Sequence, residues 1–195
     1  MSSNTIAYQG YPGAYSHLSC TKVFPNMTAS ACASFAQAMQ MVEQGHAKLA
    51  MIPIENSTAG RVEEIYRLMP KMKLHIIAEH FEPVNHCLLA LKGTKIADLK
   101  TISSHPQALA QCNDSINELG LIQKAHLDTA GAAEELSLTR QPGHSAIASQ
   151  LAATLYDLDI LKQNFQDISG NTTRFIILSK ERNKPYFNEN KKFIS

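Results

Sequence analysis

The stretch "IQKAHLDTAGAAEELSLTRQPGHSAIASQLAATLY", residues 122–156, reads as strand, helix, strand, helix. "IQKAHL" and "SAIA" are short runs suited to strands, and "TAGAAEELSLT" and "SQLAATLY" are helix-length segments between them. Such alternation predicts an α/β fold with largely parallel sheets, because successive parallel strands need a crossover helix. Working outward, the pattern repeats. Toward the C-terminus, "TRFIILS" (173–179) reads as a last strand. Toward the N-terminus, "PQALAQCNDSINELG" (106–120) reads as one helix, with Pro106 in its first turn and Gly120 at its end. "TISS" (101–104), "HCLLAL" (86–91), "LHIIAEHF" (74–81), "KLAMIPI" (48–54), "ASACA" (29–33) and "TIAYQ" (5–9) read as strands. Helices are expected over 61–69, 34–45 and 17–24. In the second of these, Ser34 is placed to N-cap, Gln37 to complete a capping box and Gly45 to end the helix.

The 195 residues are 44% hydrophobic and 18% charged, enough to bury the core of one unit or of two small lobes. A net charge of +1 provides no field to gather nucleic acid or to coat an anionic membrane. "MSSNTIAYQG" has neither the basic nor the apolar region of a secretory signal, and no run reaches the length of a membrane span. A cytoplasmic protein is expected. Cys20, Cys32, Cys87 and Cys112 form no CxxC pair and read as reduced thiols. After Ser179 the composition turns charged and Asn-rich, so 181–195 reads as a linker leading out of the domain. The break at "EHFEPVNH" (79–86) and the return at "NTTRF" (171–175) divide the chain. Lobe one is expected over 1–82 plus 173–180, and lobe two over 85–168.

None of the eight histidines falls in HExxH, HxH or a zinc-spaced pair, so no metal site is predicted. "GYPGAYSH" (10–17) follows a strand and opens a helix. It reads either as a bare turn or as a phosphate-binding loop, although it matches neither GxGxxG nor GxxxxGK[ST]. Three further strand ends are polar. "PIENSTAGRV" (53–62) carries Glu55, Asn56, Ser57 and Thr58. "SSHPQALAQC" (103–112) carries Ser103, Ser104 and Gln107, with Gln111 one turn further on the same helical face. "NTTRF" carries Thr172, Thr173 and Arg174. Taken singly, each loop is explained by helix capping. Taken together, polar loops beyond the carboxyl ends of strands favour a small anionic ligand rich in oxygen.

These four motifs, in this order and spacing, resemble those of prephenate dehydratases over residues 5–179. The resemblance implies a two-lobed, periplasmic-binding-protein-like α/β fold with mixed, mostly parallel sheets and a central cleft. It implies decarboxylating dehydration of prephenate to phenylpyruvate in phenylalanine biosynthesis, with no cofactor and no metal. It also implies a homo-oligomer, dimer or tetramer, in the full-length protein. Family members often carry a chorismate mutase before the dehydratase or a phenylalanine-binding ACT domain after it. This sequence begins at the dehydratase and ends at "KKFIS", so a catalytic segment without the ACT domain is expected, uninhibited by phenylalanine. Arogenate dehydratases share the motifs, and a non-catalytic small-anion binding module of the same fold is a further alternative.

Residue by residue, the resemblance ties Thr173 to the departing hydroxyl and places Asn56, Ser104 and Gln111 in the site. Ser57, Gln107 and Thr172 stand beside them in the same loops and are expected to bind substrate. Arg174 suits a bidentate carboxylate clamp. Adjacent residues of a regular strand point to opposite faces, however, so Thr173 and Arg174 cannot both enter the cleft from one. The second reading of Arg174 is an ion pair fixing the hinge.

Overall fold

In the computed structural model, which describes residues 4–182, the chain begins with β1 (Thr5–Gln9), α1 (Tyr15–Val23), β2 (Thr28–Cys32), α2 (Phe35–Glu43) and β3 (Leu49–Asn56). Then come β4 (Gly60–Arg61), α3 (Glu63–Leu68), β5 (His75–Pro83), β6 (Cys87–Ala90), β7 (Thr101–Ser104), α4 (Pro106–Gln111) and α5 (Asn113–Glu118). The chain continues with β8 (Ile122–Ala125), α6 (Thr129–Thr139), β9 (His144–Ala148), α7 (Gln150–Leu155), β10 (Asp159–Lys162) and β11 (Thr172–Ser179). The expected linker 181–195 lies outside the described residues from position 183 onward.

Two sheets result, ordered β2-β1-β3-β11-β5, with β4 against β3, and β10-β6-β9-β7-β8. The chain passes between them at β5–β6 and again at β10–β11, and β11 returns to the first sheet between β3 and β5. Each sheet contains a parallel trio, β2-β1-β3 and β8-β7-β9, built by helical crossovers. The strands nearest the crossings, β11, β5, β6 and β10, pair antiparallel. The sheets are therefore mixed, with a larger antiparallel share than the β-α alternation predicts.

The central strands are covered on both faces. Ile6, Tyr8, Leu49, Met51, Phe175 and Ile177 share one core, whereas Ala7, Ala50, Ile52, Ile176 and Leu178 pack against Ala38, Met39 and Val42 of α2 on the other. Alternate residues of one strand thus enter different cores, which is why these strands read as continuous apolar runs. Ser34 caps α2 by accepting from the Gln37 N–H at 3.1 Å. The returning Gln37 Oε1 accepts from the Ala33 N–H at 2.8 Å, one residue before the expected partner.

The single helix expected over 106–120 is two helices. Cys112 leaves helical geometry at φ −118°, ψ 16°. The Asp167 carboxylate, from the second crossing, accepts the N–H groups of Asp114 and Ser115, both at 2.9 Å, and so starts α5 afresh. The strand β10 was not expected either. All four cysteines are buried and free, and burial pushes their thiol pKa values up. Among the described residues no helix is long and apolar enough to cross a membrane.

Candidate active site

β3 and β11 meet in antiparallel register, with Thr173 opposite Asn56 and Arg174 opposite Glu55. On its other side Thr173 is opposite Glu82 of β5. Asn56 anchors the turn at the end of β3. Its Oδ1 accepts the backbone N–H groups of Thr58 and Ala59 at 3.0 and 2.9 Å, a local turn that Asn forms readily. Its Nδ2 then donates to Asn171 Oδ1 at 2.7 Å and to Thr173 Oγ1 at 3.0 Å. Because Thr173 Oγ1 accepts from an amide, its own proton remains available to a ligand.

Asn171 Nδ2 donates to Gln111 Oε1 at 3.2 Å, and the same oxygen lies 2.8 Å from His86 Nε2. His86 Nδ1 lies 2.9 Å from the Tyr15 hydroxyl. His86 is 2% exposed, and burial lowers its pKa against the opposing hydrogen bond from Gln111. The neutral ring donates from Nε2 to Gln111, whose Oε1 can only accept, while the single Tyr15 proton lies between His86 Nδ1 and the Asn85 carbonyl, each 2.9 Å from the hydroxyl oxygen. Hydrogen bonds thus run from Thr173, in the first sheet, through Asn56, Asn171 and Gln111 to His86, beside the second. A cavity of about 720 Å³ opens along this line, lined by Ser57 and Thr58 on one side, Gln107 and Gln111 on the other, and Ile168 and Asn171 of the crossing.

The structure gathers five of the expected residues, Asn56, Ser57, Gln111, Thr172 and Thr173. Ser57 is tied in by the Thr172 N–H, which donates to its Oγ at 2.9 Å. Gln107 lines the cavity without joining the network. Ser104 is not gathered: it is fully buried, and its Oγ donates to the Ile147 carbonyl at 2.7 Å, bracing β7 against β9. Arg174 is not gathered either. Strand alternation sends it to the other face, where its Nε donates to Glu79 at 2.9 Å and its guanidinium lies over the Phe81 ring. In this structure Arg174 makes the ion pair of the second reading, with Glu79.

Sequence reading missed Tyr15, His86 and Asn171. Tyr15 and Asn171 lie inside quoted motifs, and His86 ends the "EHFEPVNH" break, so position was the available signal. The loop "GYPGAYSH" is a docking turn. Ser149 Oγ donates to the Gly13 carbonyl at 2.6 Å, and Tyr156 donates to the Pro12 carbonyl at 2.7 Å. Among the described residues no group of three or more His, Cys, Asp or Glu side chains is placed to hold a metal ion.

The family profile described as prephenate dehydratase matches residues 6–183. The chain belongs to the prephenate dehydratase family. It is 47% identical over 175 residues to the bifunctional N-acyl-homoserine lactone acylase/prephenate dehydratase of Komagataeibacter europaeus, covering 90% of this chain and 62% of that protein. It is 44% identical over 176 residues to arogenate dehydratase 2 of Petunia hybrida, covering 90% of this chain and 45% of that one. The crystal structure of the Arthrobacter aurescens prephenate dehydratase in complex with L-Phe superposes with a TM-score of 0.85 at 29% identity, over 94% of this chain and 63% of that one. This member of the family thus spans between about half and two thirds of the length of these proteins.

Proposed function

We propose that this chain is a lyase that converts prephenate to phenylpyruvate, water and carbon dioxide. The observation that carries the reading is the amide-held Thr173 hydroxyl, joined through Asn56 to Asn171 in the lining of the cavity between the two sheets, in a chain of this family. The two sheets with their helices act as the expected lobes, 1–82 with 173–180 and 85–168, and the cavity between the sheets is the substrate cleft.

The chemistry asks little of the protein. The bond to the ring carboxylate breaks, its electrons enter the ring, and the hydroxyl leaves with the pair of its own C–O bond, taking up a proton to become water as the ring becomes aromatic. What the protein must add is a proton, or a strong hydrogen bond, at the departing oxygen, worth about 10²–10⁴-fold. Thr173 accepts from Asn56 and keeps its own proton for donation, which suits it to orient or relay that proton. Neutral donors such as Gln107 and Ser57 suit the substrate carboxylates without introducing a charge that the cleft would have to desolvate. The reading requires no cofactor. Buried reduced thiols fit a cytoplasmic enzyme, and the family resemblance carries the homo-oligomer.

Among the described residues nothing at the cleft is an activated nucleophile. The thiols are buried with raised pKa values, and Ser104 is locked to a carbonyl. The acylase activity named for the K. europaeus protein is therefore not part of this reading. Incubating the purified chain with prephenate and following phenylpyruvate tests it. Many turnovers per protein are expected, and formation no faster than the uncatalysed reaction would refute it.

A further inference from the structure

The second crossing, "QNFQDISGN" (163–171), carries only two large apolar side chains. Phe165 is fully buried, in the core that holds Leu88 and Ile147. Ile168 is 81% exposed. The chain is anchored on both sides of it. Before it, the Asp167 N–H donates to the Gln111 carbonyl at 2.8 Å, and the Asp167 carboxylate accepts the N–H groups of Asp114 and Ser115. After it, Asn171 Oδ1 accepts from Asn56 Nδ2 at 2.7 Å, and the Thr172 carbonyl accepts the Ser57 N–H at 2.9 Å. Ile168 is thus an apolar side chain held in the open between two anchors.

It stands in the wall of the cavity of about 720 Å³. Among the described residues lining that cavity, Ile168 is the one large hydrophobic side chain. Ala59 and Ala110 add small apolar surface, and the other side chains are polar. A singly exposed apolar residue is ordinary on a protein surface. Leu127, 88% exposed and outside this lining, is of that kind. An apolar residue fixed into a concave polar wall differs, because a ligand in the cavity can cover it. Covering it is favourable only if the ligand brings apolar surface of its own.

We propose that Ile168 is the contact for the carbon ring of the ligand, and that it binds this ring without taking part in its chemistry. The inference rests on the dehydratase reading, in which the ring is the cyclohexadiene of prephenate before reaction and the phenyl group of phenylpyruvate after it. Both rings present carbon faces, against which an aliphatic side chain gains similar contact. Ile168 therefore holds substrate, transition state and product alike. Its loss raises KM and weakens product binding while leaving kcat in place.

The test measures kcat and KM for prephenate and calorimetric binding of phenylpyruvate in four chains: the parent, Ile168→Asn, Ile168→Leu and Leu127→Asn. Ile168→Asn is expected to raise KM and the phenylpyruvate Kd by about tenfold, the scale of one large apolar side chain left in water. Its kcat should stay within about threefold of the parent. Ile168→Leu, which keeps the apolar volume, and Leu127→Asn, which removes an equally exposed residue elsewhere, should stay within about threefold in every constant. With methyl-labelled isoleucine, the signal that Ile168→Leu lacks should show an Overhauser contact to the ring protons of phenylpyruvate. An Ile168→Asn chain that binds phenylpyruvate as the parent does would overturn the proposal. So would a loss confined to kcat, a loss equal in Leu127→Asn or Ile168→Leu, or the absence of that contact. If the parent does not turn prephenate over, the dehydratase reading fails by itself, and the phenylpyruvate titrations still decide the role of Ile168.

Discussion

Asn56 holds the Thr173 hydroxyl through an Nδ2 that has no freedom to turn, because its Oδ1 is engaged by two backbone N–H groups. Asn56→Asp keeps that local turn and replaces the donor by a second acceptor, which would draw the Thr173 proton toward itself. Turnover is expected to fall by about 100-fold or more, with the melting temperature within a few degrees of the parent. Arg174, one residue beyond Thr173, makes the contrast. It is 42% exposed and paired with Glu79, so its pairing contributes at most about 1 kcal/mol. Arg174→Gln is expected to leave KM within about threefold and to lower unfolding stability by about 1 kcal/mol or less, read by urea titration. A large rise in KM would return Arg174 to the substrate. The strand-alternation rule already separated these two residues in the sequence. Ser104 was not separable in that way: a serine at a strand end reads the same whether it faces a ligand or braces the next strand, as Ser104 does here through the Ile147 carbonyl.

At the scale of elements, the turn before α1 meets α7 across the two halves. Gly13 has φ +91°, and a Cβ there would lie 2.9 Å from Ala152 Cα. Gly13→Ala therefore combines left-handed strain with a backbone clash and is expected to destabilise by more than about 2 kcal/mol. Chemical denaturation measures this. Near-normal stability would mean that the turn does not dock. The end of β5 holds a second device. Glu82 is 1% exposed and pairs with Lys22 and His80. Burial raises its carboxyl pKa, but those two partners outweigh burial and leave it below the usual value of 4.5. A carboxylate held low stabilises the fold fully above that usual value and loses this contribution as pH falls through its folded pKa. Glu82→Gln should thus flatten the acid limb of melting temperature against pH below 4.5. An unchanged limb would assign acid sensitivity to other groups. The α2 cap was legible because Ser34 and Gln37 lie within one turn of each other. The break at Cys112 was not, because its cause, Asp167, stands more than fifty residues later and reaches α5 only in the folded chain.

Across the whole molecule, the β-α alternation makes two parallel trios, and antiparallel strands stand at the two crossings, with β11 returning between β3 and β5. That arrangement joins Asn56, Gln111 and Thr173, far apart in sequence, in one hydrogen-bonded line through Asn171. The polar strand ends were legible as a group, whereas their wiring through Asn171 and His86 depends on side-chain directions that no sequence pattern encodes. The most direct measurement is phenylpyruvate formation from prephenate by the chain and by Thr173→Ala, side by side, with thermal melting as a control for folding. Catalytic turnover by the chain is expected, falling by about 10²–10⁴-fold in the variant with the fold retained. Turnover by Thr173→Ala within about threefold of the parent would contradict the role of this hydroxyl.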